Sequence, residues 1–338
     1  MLLSWLTDNR RLGGLDYDPT LVRLAGADPT TLPPLVAVHE PMGTVLDAVA
    51  DECGLPHGLP VVTALPDLHS AALGSGALGL HQPHLSVSTS AWIGCHTPRK
   101  RTSLQHQMAT VPSALPGRYV LANNHETAGV CLEWLRDQVV LADDGLTRPG
   151  AASLPDLDAV AASAAPGSGG VLFTPWLNGE RSPVADSTLR ASFLGVSMST
   201  TRADLVRAVF EGVAHNDRWL LETSERVVRQ PLPHLRIVGG GAQSDVWCQI
   251  HADVLGRPVH RVADPLFASV RGAALFAGLV TGRLTEADLP SRAPIERRFD
   301  PDPEATATHD ALHAEYVRLP RTQRRFHRRA HALRQRTP

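Results

Sequence analysis

Leu235-Arg236-Ile237-Val238-Gly239-Gly240-Gly241-Ala242-Gln243-Ser244, running straight into Asp245-Val246-Trp247, is the stretch whose reading decides the fold. Leu235 to Val238 has the make-up of a short buried strand, and Asp245 to Leu255 that of a helix. Three glycines between them let the backbone approach a ligand closely, because no Cβ intervenes. The helix that follows offers free N–H groups and a positive dipole end. Such a turn suits a nucleotide. It is not a Walker A loop, since no Gly-Lys-Ser/Thr follows, and it is not G-x-G-x-x-G, since the third glycine is misplaced. A tight strand–helix turn without a ligand needs similar glycines, so the stretch by itself leaves both readings open.

Working outward, Pro258 to Val262 reads as a further strand and Val270 to Leu279 as a further helix. Upstream, Thr201 to Val227 predicts a long amphipathic helix begun by Asp204, with Leu205, Ala208, Val209, Val213, Leu220 and Leu221 on its apolar side. Val171-Leu172-Phe173 reads as a strand, and residues 146–170, rich in Ala, Pro, Ser and Gly, as a loose connection with one short helix near Leu157. A helix is expected within Asn123 to Leu141, and a hairpin from Leu85 to Ser90 and Ala91 to His96. Pro60 to Thr63 reads as a strand leading to Asp67, the expected N-cap of a helix over Leu68 to Gly74. Val45 to Cys53 predicts a helix stopped by Gly54, and Leu21 to Ala25 a shorter one. Strands alternating with helices imply an α/β protein.

Composition narrows the function classes. In 338 residues, 43% are hydrophobic and 20% charged, with a net charge of −2, so no polybasic or polyacidic partner is implied. The Arg-rich stretch from Arg318 to Arg336 reads as the solvated face of a terminal helix rather than a nucleic-acid or lipid surface. Cys53, Cys95, Cys131 and Cys248 are scattered, which argues against a zinc site and against a disulfide scaffold. The opening MLLSWLTDNRRL turns polar too soon for a signal peptide or a membrane span, so a cytoplasmic protein with no membrane and no nucleic-acid partner is expected. The sixteen histidines show no metal-ligand spacing, and neither H-E-x-x-H nor G-x-S-x-G occurs.

Three further sites carry candidate chemistry. Asp67, at the carboxyl end of a strand, stands where α/β proteins place catalytic groups, and as a general base it would take a proton from a substrate hydroxyl; a plain N-cap is the alternative. Ser86-Val87-Ser88-Thr89-Ser90 sets hydroxyls on a tight turn that could hold a phosphate, or simply face solvent. Glu180 and Arg181 read as a loop-organising pair of opposite charges.

Taken together and in order, these segments resemble the carboxy-terminal part of the FGGY carbohydrate kinases, most like the xylulokinase branch. The resemblance rests on Gly58 to Val62 leading to Asp67, on Ser86 to Ser90, and on Pro175 to Pro183, similar to the family's P-x-x-x-G-E-R-x-P. It rests also on Arg207 to Ala214, similar to R-A-x-x-E-G-x-A, and on Gly239 to Ser244 followed by Trp247, Gln249, Ala252, Asp253 and Gly256. It implies an actin-like ATPase (ribonuclease H-like) fold and phosphoryl transfer from ATP, with Mg²⁺, to a sugar or polyol. Asp67 would be the base; Ser88, Thr89 and Ser90 would lie near the phosphates; Gly240, Gly241 and Ala242 would pack against adenosine with Ser244 alongside. Family members open with a D-x-G-T-type phosphate loop that this chain does not show, and their usual glycine at position 88 is a serine here. The implied organisation is a remnant of the N-terminal sugar-binding domain over residues 1–79, a C-terminal nucleotide-binding domain over 80–295 and a helical tail over 296–338. A separate N-terminal kinase half or a homo-oligomer would then be a partner, and a non-catalytic nucleotide-binding remnant or interaction subunit is the second reading.

Overall fold

A computed structural model describes residues 6–140, 142 and 153–334. The first five residues of the opening stretch, Leu141 of the expected helix range, residues 146–152 of the connection expected over 146–170, and Arg336 lie outside the described residues. The elements run α1 (Pro19–Leu24), β1 (Pro41–Thr44), α2 (Asp47–Cys53), β2 (Pro60–Val62) and α3 (Asp67–Gly74), then β3 (Pro83–Val87) and β4 (Ala91–Thr97). They continue with β5 (Thr102–Ser103), β6 (Met108–Pro112), β7 (Tyr119–Ala122), α4 (Val130–Leu135), α5 (Leu154–Ser163), β8 (Leu172–Thr174) and β9 (Ser192–Leu194). The last part holds α6 (Arg202–Val228), β10 (Leu235–Val238), α7 (Asp245–Leu255), β11 (Val259–Val262), α8 (Ala268–Val280), β12 (Ile295–Phe299), α9 (Pro303–Tyr316) and α10 (Leu319–Arg334).

Eight strands form one sheet in the order β12-β11-β10-β3-β4-β7-β6-β5. β3, β10 and β11 run parallel, while β4, β6 and β7 are antiparallel. The parallel strands and their helices cover each other's apolar faces in a core that includes Leu85, Ile93, Phe210, Val213, Ile237 and Trp247. Local chemistry sets the long helices. Thr201 and Asp204 close a capping box on α6, and Ser244 Oγ accepts from Trp247 N to start α7. Gly54 and Gly256 end α2 and α7 in the left-handed conformation.

The helix expected within Asn123 to Leu141 spans Val130–Leu135 and is followed by a π turn over Arg136–Val140. Residues 123–129 are held by the hairpin. Asn123 bonds both backbone groups of Ile93, His125 N donates to Ala91 O, and Gly129 N donates to Ser88 O. Asp67 is not an N-cap: Pro66 holds that position, and the Asp67 carboxylate accepts only from the adjacent Leu68 N, at 2.7 Å. The cysteines behave as core residues except exposed Cys53, burial pushing the thiols of Cys95, Cys131 and Cys248 up to about 12. The arginines of α10 at 321, 324, 325, 328 and 329 are exposed.

Buried histidines make the fold acid-sensitive. Burial holds His84 down to about 3, His96 to about 4 and His309 to about 4. Each is depressed below its unfolded value of 6.5, so the stability it contributes is complete above pH 6.5 and is lost as pH falls toward 4. The expected slope approaches 1.4 kcal/mol per pH unit for each proton taken up on unfolding. Thermal or urea unfolding at several pH values from 7 to 4 checks this; a flat profile contradicts it.

Candidate functional site

Parallel pairing places Val238 of β10 beside Ser86 of β3, so the turns that follow these strands leave the sheet at one edge. That edge is the carboxyl end of the parallel strands, where α/β sheets bind ligands. The turn after β10 is pressed against β3. Gly239 has φ +92°, and a Cβ there would stand 2.4 Å from Val87 O; one at Gly241 would meet the Val87 side chain at 2.6 Å and Trp247 Cζ3 at 2.8 Å. Packing therefore accounts for two of the three glycines. Gly240 differs: its φ lies outside the left-handed region, and a Cβ would face open space, with Leu266 Cδ1 at 4.0 Å the nearest atom. Nothing in the fold requires glycine at 240. Ala242 is fully buried, backbone included, and supports the turn from beneath, and the Ser244 hydroxyl is engaged as the α7 cap.

The turn after β3 is drawn tight by Ser88 N donating to Ser90 O at 2.9 Å, with Ser88 Oγ 3.4 Å from the same oxygen. Thr89 is exposed, while Ser88 and Ser90 are half-buried. Gly129 anchors the turn from behind, since a Cβ there would stand 2.4 Å from Ser88 O.

Ser90 and exposed Asp67 share a cavity of about 740 Å³. Trp92, Lys100, Asn124 and Arg181 also line it, and Asp67 is the one acidic residue among the described residues that do so. By strand order the hairpin turn stands between this cavity and the turn at 239–244. Lys100 Nζ donates to Thr110 O at 2.9 Å, and burial lowers its pKa. Trp92, Lys100 and Asn124 carry no motif that marks them in the sequence; only the folding of distant segments gathers them.

Glu180 and Arg181 do not pair with each other, contrary to the expectation from their adjacency. Arg181 turns outward to Glu126 Oε1 at 2.7 Å and Asn124 Oδ1 at 3.2 Å. Glu180 turns inward, where its side chain is fully buried, accepting from Glu126 N, Arg181 N and Asn216 Nδ2. The R-A-x-x-E-G stretch proves structural. Arg207 and Glu211 form a buried pair at 2.6 Å, Arg207 also binds the carbonyls of Ala161 and Ala164 at the end of α5, and a Cβ at Gly212 would meet Phe173 O at 2.3 Å.

Among the described residues no group of three His, Cys, Asp or Glu side chains is placed to hold a metal ion, and no helix is long and apolar enough to cross a membrane. The model of the FGGY family of carbohydrate kinases, C-terminal domain, matches residues 85–280. The chain is 28% identical over 288 residues to the xylulose kinase of Staphylococcus epidermidis, covering 84% of this chain and 55% of that one. To the glycerol kinase of Gloeobacter violaceus it is 30% identical over 292 residues, covering 84% and 55%. The crystal structure of xylulose kinase from Rhodospirillum rubrum superposes with a TM-score of 0.78 at 29% identity, covering 92% of this chain and 61% of that one. The chain thus spans about half the length of the curated relatives it matches. The mixed α/β fold is that of these kinases, an actin-like ATPase C-terminal domain. With the family model covering more than half of its residues, the chain belongs to the FGGY family of carbohydrate kinases.

Proposed function

We propose that the chain is the nucleotide-binding part of an ATP-dependent carbohydrate kinase, transferring the γ-phosphoryl group to a sugar or polyol hydroxyl. The observation that carries this reading is Gly240, a glycine that neither φ nor packing explains, facing open space at the ligand-binding edge of the sheet. Adenosine would lie against Gly240 and Gly241, with buried Ala242 supporting the turn beneath them and Ser244 holding the start of α7 beside it. The phosphates would reach the turn of Ser88, Thr89 and Ser90. Asp67 would accept the proton of the acceptor hydroxyl in the adjoining cavity, where Lys100 and Arg181 supply positive charge for the transferring group. With no group of three His, Cys, Asp or Glu side chains placed to hold a metal among the described residues, Mg²⁺ would be held chiefly by the nucleotide's phosphates.

The domain reading proposed with it is a sugar-binding remnant over 1–79, a nucleotide domain over 80–295 and a tail over 296–338. A segment or partner completing the sugar site is part of this proposal, supported by the half-length match to its relatives. Exposed Leu24, Met42, Leu46 and Val61 in the first 65 residues leave apolar surface for such a partner or a second copy to cover. The alternative, a nucleotide-binding remnant without catalysis, is favoured by one feature: Ser88 places a side chain where family members carry glycine.

Gly240→Val tests the nucleotide site. A Cβ at 240 meets no atom closer than 4.0 Å, so the melting temperature should stay within a few degrees, while ADP affinity measured by calorimetry should fall about tenfold or more as the side chain takes the ligand's place. Unchanged affinity in a folded variant rejects this placement of the nucleotide.

A further inference from the structure

Beneath the candidate site runs a buried chain of charged groups that the proposed chemistry does not use. His125 is fully buried on the segment between β7 and α4. Its Nδ1 donates to Ser182 O at 2.9 Å and lies 3.4 Å from Glu180 Oε2, and its Nε2 lies 3.4 Å from Asp217 Oδ1. Asp217 Oδ2 in turn meets His251 Nε2 at 3.0 Å, and His251 Nδ1 meets Trp247 O at 2.8 Å.

The two ends of this chain reach the two halves of the site. At one end the Glu180 carboxylate holds the backbone N–H groups of Glu126 and Arg181, the residues whose side chains pair at the cavity rim. At the other end Trp247 lies directly under Gly241 and donates its backbone N–H to Ser244 Oγ. Burial alone would lower the His125 pKa, but the carboxylates of Glu180 and Asp217 outweigh it and hold it at about 10. Burial likewise acts to raise the Asp217 pKa, and His125 and His251 outweigh it and lower it. Glu180, His125 and Asp217 thus alternate in charge, and removing one of them leaves its neighbours buried and uncompensated. Asn216 and Tyr316 add hydrogen bonds: Asn216 Nδ2 donates to Glu180 at 2.6 Å, and Tyr316 OH to Asn216 Oδ1 at 3.1 Å.

We propose that His125 is a positioning residue which, clamped between Glu180 and Asp217, ties the Arg181 wall of the cavity to the Trp247 floor of the glycine turn. The inference rests on the nucleotide-binding reading above. It gives a side chain with no contact to the turn at 239–244 control over how well that turn binds.

The test titrates ADP into the wild-type chain, His125→Gln, Asp217→Asn and Val228→Ala, with thermal unfolding followed for each. Val228 is buried in the last turn of α6, outside the chain of contacts, and serves as the control for lost stability. His125→Gln and Asp217→Asn should each weaken ADP binding by about fivefold or more, whereas Val228→Ala should stay within about twofold. If His125→Gln does not fold, Asp217→Asn, which keeps the side-chain shape, decides. Wild-type affinity in the folded chain variants, or an equal loss in Val228→Ala, overturns the positioning role. A wild-type chain that binds no ADP overturns the nucleotide-binding reading itself, and this inference with it.

Discussion

Asp67→Asn is expected to lower sugar-dependent ADP formation by roughly 10²–10⁴-fold, the usual contribution of a positioned general base. The same change should leave stability within about 0.5 kcal/mol. The two halves of the prediction follow from one arrangement. Asp67 is exposed, and its carboxylate makes one local bond, to the adjacent Leu68 N, so asparagine of the same size can keep that bond through its carbonyl oxygen. What asparagine cannot do is accept a proton at neutral pH. In the cavity it shares with Ser90, Lys100 and Arg181, no other described acidic residue is present to take over the role. Steady-state ADP release and a thermal melt on the same preparation separate the effects. A variant that melts early as well as losing activity would show Asp67 to be structural.

Gly272→Val is expected to cost about 4 kcal/mol or more, a penalty reserved for changes with no room to relax. Helices α3 and α8 cross with their backbones in contact. A Cβ at Gly272 would stand 1.8 Å from Ser70 O, and one at Gly74 would stand 1.7 Å from Ala268 O. Neither neighbour is the free end of a side chain, so one helix must move. Leu73, Leu275 and Phe276 pack around the crossing and would be prised apart with it. The effect reaches the site because Asp67 opens α3, while α8 follows the segment that touches the glycine turn through Gly239 N and Pro265 O. Chemical denaturation should show a lower midpoint, or expression should yield no soluble protein; a variant as stable as the wild type would contradict the crossing geometry.

Much of this architecture was legible in the residues. The strand–glycine–helix stretch, the β3–β4 hairpin and the long α6 helix all announce themselves through periodicity, caps and turn residues, because the forces involved are local. The segment 123–129 did not, since Asn-Asn-His-Glu-Thr-Ala-Gly carries no apolar periodicity and its side-chain and backbone groups are taken by Ile93, Ala91 and Ser88, residues about thirty to forty positions earlier. Adjacency misled in the same way at Glu180 and Arg181, whose partners are set by which side of the chain faces the core. The glycines illustrate the limit most clearly. The sequence presents three equivalent residues at 239–241; the fold explains Gly239 by its φ and Gly241 by Trp247, and gives Gly240 neither reason. The buried chain through His125 had no signal at all, because its members come from four segments between residues 125 and 251.

The most direct test of the account is ADP release from Mg-ATP by the folded chain across a panel of ketoses, aldoses and polyols, run beside Asp67→Asn. The account predicts ADP formation that depends on one class of sugar or polyol and disappears in the variant. Absence of turnover with every acceptor, by protein that still binds ADP, contradicts phosphoryl transfer by this chain and leaves the nucleotide-binding remnant; turnover that survives in Asp67→Asn contradicts the assigned base.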